Sequence, residues 1–344
     1  MTFGILGSGS WGTALAKILT DNGHSIYWWN RSETAIAQFK SRLHNPQYLS
    51  SAKFNVNQLF LTTNAAEVIQ KAGVIVIAVP SAFIIDILST LGKNVFKNKK
   101  ILSAIKGILP DQNLLLNDYL KSEFDVPLEN YFAVLGPCHA EEVAAEKLSY
   151  LTFTGIDEIV TAEIAGYFKT AYLNTVLNKD IFGVQYAAVL KNIYAVGSGI
   201  AHGLDYGDNF LSVLIANSAD EMAGFLRKAG IINAEVGYID HSKPKLQNHN
   251  NYAASVYLGD LLVTCYSLHS RNRSFGNMIG KGYTVKSAQL EMSMVAEGYH
   301  ASKCMNSINK KIKAEMPIAD SIYRILWEGA EAKDTFNQME AVLV

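Results

Sequence analysis

Cysteine is scarce in this chain of 344 residues. The three present, Cys138, Cys265 and Cys304, are far apart and form no CxxC pair. That excludes a disulfide framework or a cysteine-type zinc site and fits a reducing compartment. An excess of charge of either sign is also missing. Thirty basic residues face 31 acidic ones, for a net charge of −1, so the basic footprint of a nucleic-acid-binding protein is absent from the total. Charged residues make up 18% of the chain, below the roughly 25% usual in globular domains, which implies surface buried between domains or subunits. Long apolar runs are lacking too. The longest, Val74 to Leu88, is interrupted by Pro80, Ser81 and Asp86 and is too short and too polar to span a bilayer. No basic stretch followed by a cleavable apolar segment opens the sequence. The expected address is therefore the cytoplasm, without integral membrane association.

What is present is a large supply of core-forming residues. At 49% hydrophobic the chain is not disordered, and it is longer than the roughly 250–300 residues over which a single core grows. Short apolar runs at Thr2–Leu6, Ser25–Trp29, Val74–Val79, Lys100–Ile105, Phe132–Leu135 and Tyr150–Phe153 read as strands. Between them, Trp11–Asn22, Glu33–Arg42, Ala82–Leu91 and Leu114–Tyr119 carry helical patterns. This alternation predicts βαβ units around a parallel-rich sheet. Beyond about Ile181 strand signals vanish, and Phe182–His202, Asn209–Lys228, Asn251–Ser267, Val285–Tyr299 and Ser302–Met316 look helical. The polar run Asp240–Asn250 reads as a long loop. The expected architecture is an α/β Rossmann-type domain over residues 1–180, followed by an all-α domain over 181–344.

Three constellations carry chemistry. The first is Gly7-Ser8-Gly9-Ser10-Trp11-Gly12, a GxGxxG between a strand and a helix. Gly7 permits the tight turn, Gly9 lets a pyrophosphate approach the backbone, and Gly12 lets helix and strand pack closely. The helix N-terminus then offers N–H groups and a partial positive charge to the phosphates. At the end of the second strand an NAD site usually places an acid, but here the sequence reads Trp29-Asn30-Arg31. Asn30 can bond a ribose hydroxyl and Arg31 can pair with a 2′-phosphate, which leans toward tolerance of NADP alongside NAD. An ordinary solvated loop arginine is the alternative.

The second is Lys191. Its neighbours at helical spacing, Ala187, Ala188, Ala195 and Ser198, make a face of small residues. A lysine on such a face is either desolvated, with a lowered pKa that makes it a usable general base, or extends to the helix edge. The third runs from Asp260 and Thr264, i and i+4 on one helical face, to Ser270-Arg271-Asn272-Arg273. A buried Asp260 needs a partner, and Lys191 is the obvious one. The Ser-Arg-Asn-Arg cluster offers a hydroxyl, a forked guanidinium and an amide to a phosphate or carboxylate; the plain alternative is a solvated basic turn. Together these describe a nicotinamide enzyme acting on a small anionic secondary alcohol. His139, His269 and His300 make no metal-ligand pattern, and no metal is expected.

Strung along nearly the whole chain are further segments: GSGSWGTALA (Gly7–Ala16), NPQYL (Asn45–Leu49), VPS (Val79–Ser81), Lys106-Gly107, GPCHAEEVA (Gly136–Ala144), LKN (Leu190–Asn192), GLDYGDN (Gly203–Asn209), GDLLVTC (Gly259–Cys265), SRNRSFG (Ser270–Gly276) and VAEG (Val295–Gly298). In this order they closely resemble the bacterial type of NAD(P)-dependent glycerol-3-phosphate dehydrogenase. The resemblance implies reversible reduction of dihydroxyacetone phosphate to sn-glycerol 3-phosphate, which feeds glycerophospholipid synthesis. It implies Lys191 as the proton acceptor, or donor in the reducing direction. Lys106, Gly136, Cys138, Lys191, Asp260, Ser270, Arg271 and Asn272 fall on substrate-binding positions. Gly7, Gly9 and Gly12 belong to the cofactor turn, and Ser10, Trp11, Arg31, Lys106, Ala140, Arg271, Val295 and Glu297 fall on cofactor positions. Catalysis in a cleft between the two domains, and a homodimer, are part of the same implication.

Two departures stand out. After Gly-Pro the family reads Ser or Thr and then an aromatic, whereas this chain has Cys138-His139; a thiol is the poorer donor, which puts a substrate contact there in doubt. An arginine common in the family on the helix around Asn217 is missing. His202, eleven residues after Lys191 on nearly the same face, reads as structural. Other two-domain dehydrogenases, acting on a 3-hydroxy acid or a nucleotide sugar, share the glycine motif and helical second half. Asp260 ten residues before Ser270-Arg271-Asn272 favours a compact phosphate ester over these. A non-catalytic dinucleotide sensor would not explain Lys106, Lys191 and Asp260 together.

Overall fold

The computed structural model describes residues 1–231, 253–292 and 296–344. The candidate loop Asp240–Asn250 and the candidate cofactor residue Val295 lie outside them. The described chain forms two compact units, one of Met1–Ile105 with Leu114–Ile181, the other of Lys106–Asn113 with Phe182–Val344.

The first unit is built on an eight-stranded sheet in the order β3-β2-β1-β4-β5-β6-β7-β8. Its strands are β1 (Phe3–Leu6), β2 (Ile26–Trp29), β3 (Leu59–Thr62), β4 (Val74–Ile77), β5 (Lys100–Ser103), β6 (Tyr131–Leu135), β7 (Ser149–Thr154) and β8 (Leu173–Asn178). All neighbours are parallel except β6 and β7. The first six follow the doubly wound order, whose direction reverses between β1 and β4. The central strands Phe-Gly-Ile-Leu and Val-Ile-Val-Ile are buried throughout, as expected where helices cover both faces. Helices α1 (Ser10–Asp21), α2 (Glu33–Arg42), α3 (Ala65–Lys71), α4 (Ile84–Leu88), α5 (Leu116–Phe124), α6 (Ala140–Ala144) and α7 (Glu158–Phe168) intervene.

The second unit is helical among the described residues: α8 (Ile181–Gly203), α9 (Asp208–Lys228), α10 (Asp260–Tyr266), α11 (Arg271–Gly280), α12 (Val285–Glu291), α13 (Glu297–Ile312), α14 (Pro317–Trp327) and α15 (Ala332–Glu340). A π-helical turn, Ala253–Gly259, leads into α10. Two helical patterns differ from their expected extents. The stretch Val285–Tyr299 is not one helix: α12 ends at Glu291 and α13 starts at Glu297, so Ser302–Met316 is the body of α13 displaced by several residues. No helix among the described residues is long and apolar enough to cross a membrane.

Helix α8 owes its central place to its composition. Apart from Gln185, Lys191, Asn192 and Ser198, its buried positions are apolar or small. Two of its glycines, Gly199 and Gly203, meet two of α11, Gly276 and Gly280, without any side chain between them. A Cβ at Gly199 would lie 2.1 Å from the Arg273 carbonyl oxygen, and one at Gly276 would lie 2.0 Å from that of Val196. The two backbones therefore touch, and α11 is held at a fixed position along α8.

Candidate active site

Each unit gathers its own part of the predicted site. In the first, the glycine motif follows β1 and opens α1. Gly7 has φ +123°, and a Cβ there would lie 2.5 Å from the carbonyl oxygen of Ala78, just past β4. A Cβ at Gly12 would lie 2.3 Å from the Gly7 carbonyl oxygen, whereas Gly9 faces open space. Gly9 is also the N-cap of the 12-residue α1 and offers no side chain to its first-turn N–H groups. The turn therefore fits a dinucleotide pyrophosphate: close backbone, a helix N-terminus whose N-cap residue has no side chain, and room beside Gly9 among the described residues. Past β2, Asn30 is buried, and its Nδ2 donates to the Trp28 carbonyl at 3.3 Å, while Arg31 is exposed.

Past β6, Gly136 takes φ +131° with Tyr150 alongside. The Cys138 thiol, buried, donates to the Tyr150 carbonyl at 3.2 Å. Its one hydrogen is therefore committed within the unit. His139 is the N-cap residue of α6, and Ala140 its first residue.

The second unit brings together the reactive side chains. Lys191, at the middle of α8, does not reach the helix edge: its side chain is only 3% exposed. Its Nζ forms an ion pair with Oδ1 of Asp260, the first residue of α10, which is itself 1% exposed. Lys106 approaches the other carboxylate oxygen, Nζ to Oδ2 3.7 Å. Thr264, one turn on from Asp260, donates to the Asp260 carbonyl at 2.5 Å and lies 3.4 Å from Oδ1. Burial pushes the Lys191 ammonium down, and the neighbouring Lys106 charge adds to this. Asp260 opposes, leaving a pKa of about 7. The pair joins two residues 69 positions apart, as the polar face of Asp260 and Thr264 had implied.

The basic cluster is the start of α11. Ser270 is its N-cap, with Oγ accepting from the Arg273 N–H at 3.3 Å. Among the described residues the hydroxyl hydrogen remains as a donor. Arg271, the first residue of α11, is exposed, while Arg273 turns back to donate to the Tyr266 carbonyl at 2.8 Å. Asn272 is buried and bonded on both sides of its amide, to the Gly298 N–H and to Asn192. Glu297 opens α13 beside Gly298.

Sequence reasoning did not single out Asn192 for a role of its own. Its Nδ2 donates to the Lys106 carbonyl at 2.8 Å. Only its adjacency to Lys191 hinted at this, since Asn192, Lys106 and Asn272 are scattered along the chain. His202 is exposed in the last turn of α8. Asn217 exchanges two hydrogen bonds with the backbone of Val344, Nδ2 to O 2.7 Å and N to Oδ1 3.1 Å. No group of His, Cys, Asp and Glu suited to a metal occurs among the described residues.

Known proteins resemble this chain over nearly its whole length. The family models for the NAD-dependent glycerol-3-phosphate dehydrogenase N-terminus and C-terminus match residues 2–159 and 180–337. Glycerol-3-phosphate dehydrogenase [NAD(P)+] of Bacillus subtilis is 32% identical over 338 residues, covering 98% of this chain and 93% of its own. That of Macrococcus caseolyticus is 30% identical over 331 residues, covering 96% and 95%. The crystal structure of glycerol-3-phosphate dehydrogenase from Coxiella burnetii superposes with a TM-score of 0.86 at 25% identity, covering 98% of both chains. With a glycine turn shaped for a dinucleotide in one unit and a buried lysine–carboxylate pair in the other, the chain belongs to the NAD-dependent glycerol-3-phosphate dehydrogenase family.

Proposed function

We propose that this chain interconverts dihydroxyacetone phosphate and sn-glycerol 3-phosphate with NAD(H) or NADP(H), and that Lys191 moves the proton. The observation that carries the assignment is a lysine buried against Asp260, beside Lys106, with its pKa brought to about 7. A bound nicotinamide dinucleotide supplies the two-electron chemistry. In the reducing direction the Lys191 ammonium gives its proton to the ketone oxygen; in the oxidising direction the neutral amine takes the hydroxyl proton. Asp260 steadies the ammonium and keeps Lys191 oriented. The second cation, Lys106, polarises the carbonyl. Arg271 holds the substrate phosphate as a fork, aided by the α11 N-terminus and the Ser270 hydroxyl. Among the described residues Asn272 keeps its second Nδ2 hydrogen as a donor for the phosphate. Gly7, Gly9, Ser10, Trp11, Gly12, Arg31, Ala140, Val295 and Glu297 are the proposed cofactor residues, with Lys106 and Arg271 shared between cofactor and substrate; Gly136 contributes backbone on the substrate side, and Cys138 shapes it.

The test is the loss of reduced-cofactor absorbance with dihydroxyacetone phosphate. Turnover supports the assignment; a folded, cofactor-binding protein without turnover overturns it and passes attention to 3-hydroxy acids and nucleotide sugars. The low charged fraction of the chain supports a homodimer, and three cysteines that form no disulfide support a cytoplasmic address. Supply of glycerophospholipid synthesis would follow from the product.

Two expectations follow directly. A base with a pKa near 7 makes alcohol oxidation rise with pH through about 7, and makes ketone reduction fall over the same range. kcat/KM profiles in both directions check this; a flat oxidation limb with chemistry rate-limiting would remove Lys191 from the role. At the cofactor end, Arg31→Ala lowers kcat/KM for NADPH by roughly tenfold and leaves NADH nearly unaffected, since only the phosphorylated ribose loses a charge-assisted bond.

A further inference from the structure

We propose that Asn192 is a positioning residue for Lys106, acting through the Lys106 backbone carbonyl as the last member of a relay that runs from Gly298 through Asn272. The proposal rests on the dehydrogenase reading of Lys106 given above. The relay has three bonds. The Gly298 N–H donates to Asn272 Oδ1 at 2.9 Å, Asn272 Nδ2 donates to Asn192 Oδ1 at 2.9 Å, and Asn192 Nδ2 donates to the Lys106 carbonyl at 2.8 Å.

Its two ends are backbone groups, and this fixes its polarity. A backbone N–H can only donate and a carbonyl can only accept. With Gly298 donating at one end, Asn272 must present its oxygen there and its NH2 to Asn192. Asn192 must then present its oxygen to Asn272 and its NH2 to Lys106. Neither amide can rotate by half a turn without placing two donors or two acceptors face to face. Both side chains are buried, where such a mismatch has no water to relieve it.

The relay ties four segments together: residues 106–113, α8, α11 and α13. At the α13 end it serves as a cap made by another helix. Gly298 is in the first turn, where N–H groups lack intrahelical partners, and the N-cap residue Ala296 supplies no side-chain bond. The contact is close, because a Cβ at Gly298 would lie 2.4 Å from the Asn192 carbonyl oxygen. At the other end, Lys106 begins the stretch 106–113 that joins the second unit. Fixing its carbonyl fixes the origin of the side chain whose Nζ stands 3.7 Å from Asp260. Successive residues of α8 thus do separate work: Lys191 holds the proton, and Asn192 sets where the second cation starts.

The polarity argument makes Asn192→Asp the informative change. It keeps size and the acceptor toward Asn272 but aims an oxygen at the Lys106 carbonyl. The experiment is a double-mutant cycle in the full chain, reading kcat, KM and pH profile for Asn192→Asp, Lys106→Ala and the combination. We expect Asn192→Asp to lower kcat/KM by roughly 10–30-fold in the parent, and by less than about threefold once the Lys106 side chain is gone. The oxidation limb of Asn192→Ala, which adds no charge of its own, should also move to higher pH, because a displaced Lys106 no longer helps hold Lys191 down. Asn272→Asp should reproduce the phenotype from one bond further away. Additive losses with an unmoved pH limb would overturn the relay and leave Asn192 a packing residue. Should Asn192→Asp fail to fold, Asn192→Ala, which deletes the donor without adding charge, runs the same cycle. The parent enzyme separates the two levels of inference. Absent turnover in the parent removes the dehydrogenase reading and the relay with it, whereas an active parent with an additive cycle removes the relay alone.

Discussion

Lys191→Met lowers kcat by about 10²–10⁴-fold while the protein still binds reduced cofactor. Methionine fills most of the lysine stem's volume and deletes the transferable proton. The change also leaves Asp260 buried with Lys106 as its remaining cation, at 3.7 Å, and breaking a buried pair costs about 3–5 kcal/mol. A loss of activity alone would thus be ambiguous. The combination Lys191→Met with Asp260→Asn resolves it: removing both charges should recover thermal stability toward the parent, and activity should stay at the floor. Lys191→Arg should also be nearly inactive, because a guanidinium keeps its proton at any working pH. The measurements are Tm, cofactor titration by fluorescence, and steady-state kinetics with dihydroxyacetone phosphate. If Lys191→Met retains kcat within tenfold of the parent, some other group moves the proton.

The sequence made legible what lies at the centre of each unit and obscured what lies at the margins. Strands β1 and β4 are covered on both faces, so they read as unbroken apolar runs. Strands β3 and β8 end the sheet order. There Leu59–Thr62 offers only the short apolar run Leu-Phe-Leu, with Phe60 exposed, and Leu173–Asn178 is largely half-buried and mixes apolar with polar residues, too little signal for either to read as a strand. Helix α11 was hidden for another reason. Its sequence, Arg-Asn-Arg-Ser-Phe-Gly-Asn-Met-Ile-Gly, has two glycines and little apolar content. Those glycines oppose helix propensity locally and are kept because α8 lies against them. The glycine turn and the Lys191–Asp260 pair were readable, since a spacing motif and a buried polar residue in an apolar segment are local signals. The Asn192–Asn272 bond was not, because no local pattern connects two amides 80 residues apart.

The same glycines give the largest expected effect on stability. Gly276→Ala would set a Cβ 2.0 Å from the Val196 carbonyl oxygen, 2.8 Å from its carbon and 3.0 Å from the Ile200 nitrogen. All three are backbone atoms of α8, so no side chain can turn aside and the helices must part. Alanine gains up to about 1 kcal/mol over glycine in helix propensity, which the clash outweighs. A net loss on the order of 3–5 kcal/mol is expected, lowering Tm by roughly 10 °C. Parting the helices also acts on the site. Asn272 lies one turn before Gly276, and Asn192 one turn before Val196, so the 2.9 Å bond between the two amides spans the same interface. Residual folded enzyme should therefore lose kcat/KM as well as stability. Gly224→Ala is the control: it sits within α9, a Cβ there meets nothing within 4 Å among the described residues, and helix propensity alone should raise stability by up to about 1 kcal/mol. Thermal melts of the two variants beside the parent decide the matter. Opposite signs mean that α11 is held by backbone contact with α8, and an unchanged Tm for Gly276→Ala means that the interface has room that close approach denies.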